Sequence, residues 1–350
     1  MGHSLGVGII GCGGAANDLC AAISRVPEVA VAAAQDRMPE HATGLVQNHG
    51  GVIRPTIDSL IEDAGVDVVY VALPHNLLAT TAQKALLAGK HVLVEKPMAL
   101  DVPALVELRD MASARGLVAG VNFELRSSAA VLKARDLVEA GAIGDITAIR
   151  IRTVIDKTDS YWLSGPRGAV VDSWRSRRES AGGGVVLMNS IHQIDLVRHI
   201  TGLSFRRASA EVATLAAPVD VEDTASASLM MSNGAIATLA AAAHSPGAAD
   251  EEVIEIEGTR GRLNLPDAYG VGPLRFYVRE DWKDYAARTW HVVPGRQDDC
   301  QSVFLSEYVR AILDGGPPPA GPEDAIAALA TVQAIYRSSM TGSRIAVVDA

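Results

Sequence analysis

The sequence predicts an α/β chain in two parts, a doubly wound parallel sheet followed by an α+β unit with a large, mainly antiparallel open sheet. Two textures carry this expectation. Up to Val121, short runs apolar at nearly every position alternate with helix-like segments, the pattern of a parallel sheet covered on both faces. Beyond Asn122 the strand-like runs alternate apolar with polar residues and several are joined by tight turns, the pattern of an antiparallel sheet. A chain of 350 residues also exceeds what one core ordinarily organises. The division falls at 1–122 and 123–350.

In the first part, Leu5 to Ile10 is a strand and Ala15 to Arg25 a helix entered through Gly11, Gly13 and Gly14. Val29 to Gln35, Val66 to Leu73, Val92 to Glu95 and Val118 to Val121 are further strands, the second of them apolar on both faces and central. Helices are expected at Pro39 to His49, Ser59 to Ala64, Leu77 to Ala88 and Val102 to Arg115. In the second part, Ala129 to Ala140 reads as a helix and Ile146 to Ile155 as an alternating strand. Strands follow at Ala208 to Leu215, Thr224 to Ser232, Ala235 to Ala242, Glu252 to Glu257, Gly261 to Leu265 and Leu274 to Val278, with hairpin turns at Ser232-Asn233-Gly234 and Gly258 to Gly261. Two helices, Gln301 to Leu313 and Pro322 to Ser338, close the chain around a Gly-Gly-Pro-Pro-Pro breaker at 315–319.

A net charge of −10 offers no basic face for a nucleic-acid polyanion. No apolar run approaches the roughly 18 to 20 residues of a membrane span, and Met1 to Leu5 lacks the regions of a signal peptide. A cytoplasmic protein with a small-molecule ligand is expected. Cys12, Cys20 and Cys300 are odd in number and have no zinc-like spacing, so free thiols and no metal are expected.

The turn Gly11-x-Gly13-Gly14-x-Ala16 sits between strand and helix, where glycines permit a tight turn and close approach of a pyrophosphate, and a small residue permits helix packing. The helix N-terminus there favours phosphate. Asp36 ends the second strand, about 20 residues beyond Ala16, where a carboxylate accepts the ribose hydroxyls of NAD. Arg37 beside it reads either as a partner for the 2′-phosphate of NADP or as a solvated arginine. NAD is expected, with NADP left open. Leu73-Pro74-His75-Asn76 leaves the central strand at its carboxyl end and is expected to line the same groove.

Glu95-Lys96-Pro97 ends the strand after that. A lysine there can hold a substrate hydroxyl and share its proton, and Pro97 fixes the turn; a surface lysine paired with Glu95 is the plainer alternative. Gly182-Gly183-Gly184 leads into an apolar helix carrying Asn189, His192 and Asp195, the last two three residues apart on one face. The long, aromatic connection from Asp156 to Ser180 holds Tyr161, Trp174 and Arg175, expected to contact substrate, although its arginines also suit a solvated turn.

Jointly these motifs, with Gly120-Val121-Asn122 and Pro322-Glu323-Asp324-Ala325, resemble the glucose-fructose oxidoreductase, inositol dehydrogenase and MocA (Gfo/Idh/MocA) family over nearly the whole chain. The resemblance implies a Rossmann domain and a C-terminal domain whose open sheet forms a homodimer or homotetramer. It implies NAD(P)-dependent oxidation or reduction of sugars, polyols or glycosides, with Lys96 and His192 catalytic, Glu95 and Lys96 beside the cofactor, and Asn122 near substrate. Two positions depart from the family pattern. Met188 stands where many members carry an aspartate four residues before the histidine, and Phe123-Glu124-Leu125-Arg126 replaces a commoner arginine-aromatic run. A hydrolase or lyase that retains NAD and oxidises C3 transiently, and a non-catalytic dinucleotide sensor, are the alternative readings of the same scaffold.

Overall fold

The computed structural model describes residues 4–165, 173–248, 251–266, 272–295 and 299–348. Six parallel strands make the first sheet: β1 (Leu5–Ile10), β2 (Val29–Gln35), β3 (Val52–Ile53), β4 (Val68–Val71), β5 (His91–Val94) and β6 (Ala119–Val121). They are connected through α1 (Gly14–Ile23), α2 (Pro39–His49), α3 (Ile57–Ile61), α4 (His75–Leu87) and α5 (Val102–Arg115). The spatial order β3-β2-β1-β4-β5-β6 reverses between β1 and β4, opening a crevice at the carboxyl ends of those strands. All four residues of β4 are buried, each apolar side chain contributing about 1.5–3 kcal/mol. β3 is two exposed residues at the sheet edge, too short to show a period.

Local chemistry fixes the helix ends. The Asp101 side chain accepts the Ala104 N–H at 2.9 Å, a proline stands in the first turn of α5, and Gly116 ends that helix at φ +65°.

The second sheet has nine strands in the order β14-β13-β12-β11-β7-β10-β9-β8-β15. They are β7 (Ile146–Val154), β8 (Phe205–Ala213), β9 (Thr224–Met231), β10 (Ile236–Ala242), β11 (Glu251–Gly258), β12 (Gly261–Leu265), β13 (Leu274–Val278), β14 (Trp290–Val293) and β15 (Ile345–Ala346). The hairpin turns join β9 to β10 and β11 to β12 as expected. One pair departs from a purely antiparallel body: β10 runs parallel to β7, from Ile236 opposite Ala148 to Ala242 opposite Val154. The consecutive strands β10 and β11 lie on opposite sides of β7, a long-range placement that no local turn composition encodes.

Helices α6 (Ala129–Glu139), α7 (Asp159–Ser164), α8 (Arg178–Ala181), α9 (Ile191–Thr201), α10 (Cys300–Asp314) and α11 (Pro322–Thr341) complete the fold. α6, α9 and α11 pack against strands of the second sheet, while Ser226, Ser228, Thr238 and Ala240 are exposed on its open face. The last two helices also reach back to the first sheet. α10 packs on α1, with the Tyr308 ring so close to β6 that a Cβ on Gly120 would lie 2.8 Å from it. Val121 N–H donates to Ala320 O at 3.1 Å, just before α11, and covers the edge of β6. No helix among the described residues is long and apolar enough to cross a membrane.

Candidate active site

Gly11 and Gly13 answer different demands. At Gly11, φ is +86° and a Cβ would sit 2.3 Å from Ala72 O, so the approach of β1 to the end of β4 requires glycine. Gly13, the N-cap of α1, would direct a Cβ into open space, and no side chain caps the helix there. Gly14 begins the helix and Ala16 is fully buried. The first N–H groups of α1 thus carry no side-chain cap, and nothing crowds Gly13 at the helix entrance. Asp36 is fixed beside it: Oδ2 accepts Cys12 N–H at 2.7 Å and Oδ1 accepts Met38 N–H at 2.8 Å. Arg37 is exposed. An open helix N-terminus flanked by an oriented carboxylate fits the pyrophosphate and ribose of a dinucleotide. Burial, and then the Asp36 charge, push the Cys12 thiol up to about 12, so it stays unreactive.

At the end of β5, the Lys96–Pro97 peptide is cis and Met98 has φ +69°. Glu95 Oε1 accepts the Tyr70 hydroxyl at 2.5 Å and Asn122 Nδ2 at 2.8 Å, and Asn122 Oδ1 accepts Gln301 Nε2 at 3.1 Å. Asn122 is only 4% exposed. It braces the turn, both ends of its amide being engaged by protein. Lys96 Nζ donates to Met188 O at 2.6 Å.

The glycine run positions that carbonyl. A Cβ on Gly183 would lie 2.1 Å from Tyr336 Oη and one on Gly184 1.8 Å from Glu222 O, so neither site admits a larger residue without displacement. Glu222 accepts the Gly184 and Val186 N–H groups at 2.7 and 3.0 Å and the Tyr336 hydroxyl at 2.7 Å, capping the helical segment. A π turn at Val186–Ser190 then widens the helix just before α9, a distortion common at functional sites. Its Met188 carbonyl meets Lys96, and His192 follows one turn later. The His192 ring stands edge-on to Phe123, centroids 6.0 Å apart, and its Nδ1 is buried without a hydrogen-bond partner among the described residues. Burial, reinforced by the Lys96 charge, holds His192 well below the usual histidine range, so the ring is neutral. Burial also lowers Lys96, against the opposing pull of Glu95 and Glu124.

Asp195, a candidate for substrate contact from the sequence, is engaged by protein in this structure. Its oxygens accept Arg126 Nε at 2.7 Å and Nη2 at 2.5 Å, and the carboxylate is 1% exposed. The same guanidinium donates to Pro319 O at 2.9 Å and pairs with Asp324 at 2.8 Å. Burial opposes the charge on Arg126, but the two aspartates overcome it and keep it protonated.

Tyr161, Trp174 and Arg175 come from the described parts of the connection after β7. His75 Nδ1–H donates to Ala181 O at 2.8 Å and the ring meets Trp174 edge-on at 4.8 Å. That histidine is 6% exposed, so it ties α4 to α8 and presents little surface to the groove. Leu73 and Pro74 are half-buried beside it and Asn76 is exposed. Arg175 lies 4.4 Å over the Trp174 ring and 5.6 Å over Tyr161, whose hydroxyl reaches Met188 Sδ at 4.0 Å. Asn189 is half-buried, its Oδ1 without a hydrogen-bond partner among the described residues. Residues 166–172 of this connection lie outside the described residues.

Residues 5–123 match the oxidoreductase family with an NAD-binding Rossmann fold, and residues 131–264 match the GFO/IDH/MocA C-terminal domain. A 1,5-anhydro-D-fructose reductase of Ensifer adhaerens is 30% identical over 82% of this chain and 81% of its own. The chain belongs to the Gfo/Idh/MocA family. A levoglucosan dehydrogenase of Pseudarthrobacter phenanthrenivorans is 29% identical over 59% of this chain and 56% of its own. Among solved structures, levoglucosan dehydrogenase in complex with NADH shares the fold, with a TM-score of 0.89 at 24% identity over 99% of this chain and 100% of that one. GenD2 from gentamicin A biosynthesis, in complex with NAD, gives 0.83 at 26% identity over 99% and 97%.

Within this Gfo/Idh/MocA scaffold, several residues that shape the site escaped sequence reasoning. Glu222 caps the segment leading to His192 through bonds 38 and 36 residues away in the chain, and Arg126 neutralises Asp195 from 69 residues away, contacts with no local pattern. Tyr70 was visible only as one more apolar position of β4.

Proposed function

We propose that this oxidoreductase transfers a hydride between NAD and a carbinol or ketone carbon of a sugar, polyol or glycoside, with Lys96 and His192 handling the proton. The observation that carries the reading is the convergence of the Lys96 ammonium with the π turn that delivers a neutral His192. The named activities of the relatives, an anhydrofructose reductase and a levoglucosan dehydrogenase, support the substrate class.

The N-terminus of α1 binds the pyrophosphate and Asp36 the adenosine ribose. When bound, the nicotinamide supplies the acceptor or donor of the hydride. Lys96 Nζ holds the substrate oxygen and stabilises its alkoxide character, while the neutral His192 ring takes the hydroxyl proton. Trp174, Arg175 and Tyr161 close over the substrate and limit water. The Asp36 carboxylate repels a 2′-phosphate, which favours NAD over NADP.

In the same reading, residues 1–122 bind cofactor and 123–350 bind substrate and assemble the protein. The open face of the nine-stranded sheet, small and polar along β9 and β10, is the surface through which a homodimer or homotetramer forms. A cytoplasmic setting suits three buried free thiols.

The test is a screen of the purified protein with NAD and NADP against sugars, inositols, sugar acids and glycosides, reading NADH or NADPH at equilibrium and in steady state. Sustained NADH formation with at least one of these alcohols is expected. Tight NAD binding with no NADH formed, and no ketone reduced in reverse, would sink the reading.

A further inference from the structure

We propose that Gln193 is a positioning residue for the reaction just described: held between Thr153 of β7 and Glu252 of β11, it sets the roll of the helix that carries His192. The inference rests on the hydride-transfer reading of the site.

The strand register brings the two holders together. Thr153 lies directly opposite Glu252 in the antiparallel pairing of β7 with β11, so both side chains leave the sheet on one face. Further along that face the opposed pairs are apolar, Ile151 with Ile254 and Ile149 with Ile256, and all four are buried. At Thr153 and Glu252 the face turns polar, where the π turn meets β7 and α9 packs on β11. Thr153 is fully buried and Glu252 is 7% exposed, so polar groups there need partners.

Those partners lie on the helical segment that delivers His192. Gln193 Nε2 donates to Glu252 Oε2 at 2.7 Å, Thr153 Oγ1 donates to Gln193 Oε1 at 3.3 Å, and Ser190 Oγ donates to Thr153 Oγ1 at 3.0 Å. Gln193 and Ser190 are themselves fully buried. Each end of the Gln193 amide thus meets a group of suitable polarity, and the threonine hydroxyl serves once as donor and once as acceptor. Ser190 closes the π turn and Gln193 follows three residues later. The run of bonds from Ser190 through Thr153 and Gln193 to Glu252 therefore ties the junction of turn and helix to two neighbouring strands.

Helix geometry converts this anchorage into an orientation. Successive residues of an α-helix are about 100° apart, which puts Gln193 about 100° to one side of His192 and Asp195 about 60° to the other. Asp195 is held by Arg126 and Gln193 by the sheet. His192 lies between the two holds, its ring against Phe123, while the Met188 carbonyl one turn earlier meets Lys96. Rolling the helix so as to carry the ring away from a substrate oxygen would break the bond to Glu252 and leave a buried amide unpaired, which is costly. Loss of the Gln193 amide frees one side of the helix, and displacement of a reacting group by about 1 Å is enough to slow the chemical step.

Two measurements test this. Values of kcat, KM and NADH affinity are compared in the unaltered protein, Gln193→Met, Thr153→Val and Thr153→Ser. The His192 ring is followed by NMR of 13Cε1-histidine-labelled protein with NAD bound, its signal assigned by its loss in His192→Asn and the His75 signal serving as internal reference. Gln193→Met is expected to lower kcat about 10- to 100-fold while KM and NADH affinity change by less than about threefold. Its His192 signal is expected to move by more than a linewidth, because the ring shifts in the field of Phe123, with His75 unmoved. Thr153→Val should lose kcat in the same direction, and Thr153→Ser, which retains the hydroxyl, should recover most of that loss. Undiminished kcat and an unmoved His192 signal in Gln193→Met would overturn the proposal. So would an unmoved signal with a rise in KM as the main effect, which would make Gln193 a substrate contact. If Gln193→Met does not fold, the Thr153 pair decides: equal kcat and superimposable His192 signals in Thr153→Val and Thr153→Ser overturn the proposal. Turnover with an unmoved His192 signal in every variant defeats this inference alone, whereas a moved signal in a protein that oxidises no alcohol defeats the reaction assignment.

Discussion

Lys96 Nζ donates to the carbonyl of Met188 at 2.6 Å, and this bond joins the end of a strand in the parallel sheet to the π turn of a helix that packs on the second sheet. A lysine lowered by burial and a histidine kept neutral by burial and that lysine's charge are thereby held in one place. Each half of the chain contributes one member, so the proposed proton-handling pair exists only in the assembled fold.

Lys96→Met is expected to reduce kcat by roughly 10²–10⁴-fold, the range for loss of a positioned proton-handling group. Binding of NADH, followed by its fluorescence, should weaken far less. An equal loss in both would reassign Lys96 to cofactor binding.

His192→Asn is expected to lower kcat about 100-fold while the ring's packing partner Phe123 keeps its environment. Steady-state kinetics beside a thermal melt separates the two effects. A variant with a kept melting temperature and undiminished kcat would remove His192 from the reaction.

Asp36→Ser removes the charge proposed to repel a 2′-phosphate. The ratio of kcat/KM for NADP over NAD is expected to rise about tenfold, equivalent to about 1.4 kcal/mol. The variant also loses the carboxylate that accepts Cys12 and Met38 N–H, so a modest fall in stability should accompany the change. An unchanged ratio would point to a ribose held elsewhere.

Arg126→Met leaves Asp195 buried without its cation and is expected to cost about 3–5 kcal/mol in urea unfolding. Adding Asp195→Leu should recover much of that loss. Failure of the second change to help would show that Arg126 acts through Asp324 or Pro319 and not through Asp195.

His75 supplies a pH dependence with a definite sign. Burial, and then the Lys96 charge, depress it from 6.5 to about 3, so between those values the unfolded chain binds a proton that the folded protein refuses. Its contribution to stability is complete above pH 6.5 and is lost as pH falls toward 3, by about 1.4 kcal/mol per unit. Denaturant titrations at pH 7 and pH 5 should therefore show a smaller loss in His75→Gln than in the unaltered protein, by about 2 kcal/mol. Equal losses would show that the histidine titrates normally.

The legible parts of this protein are those whose cause is local. The apolar runs of β1 and β4, the glycine demanded at Gly11 by its left-handed backbone, and the hairpin turns at Asn233-Gly234 and Gly258 to Gly261 each carry their reason within a few residues. Asp36 was legible for the same reason, since its distance from the glycine turn is set by one helix and one strand.

From its residues alone, the sequence determined the two sheet textures, the glycine turn and the motif that carries Lys96, because period, turn chemistry and short spacing act through the nearest neighbours. Tertiary structure alone decided what each polar group meets. It placed β7 between β10 and β11, gave Asp195 to Arg126 and Asn122 to Glu95 and Gln301, and set Glu222 at the entrance of the His192 segment. Buried charges and amides must find partners wherever the fold offers them, and those partners lie tens to hundreds of residues away in the chain.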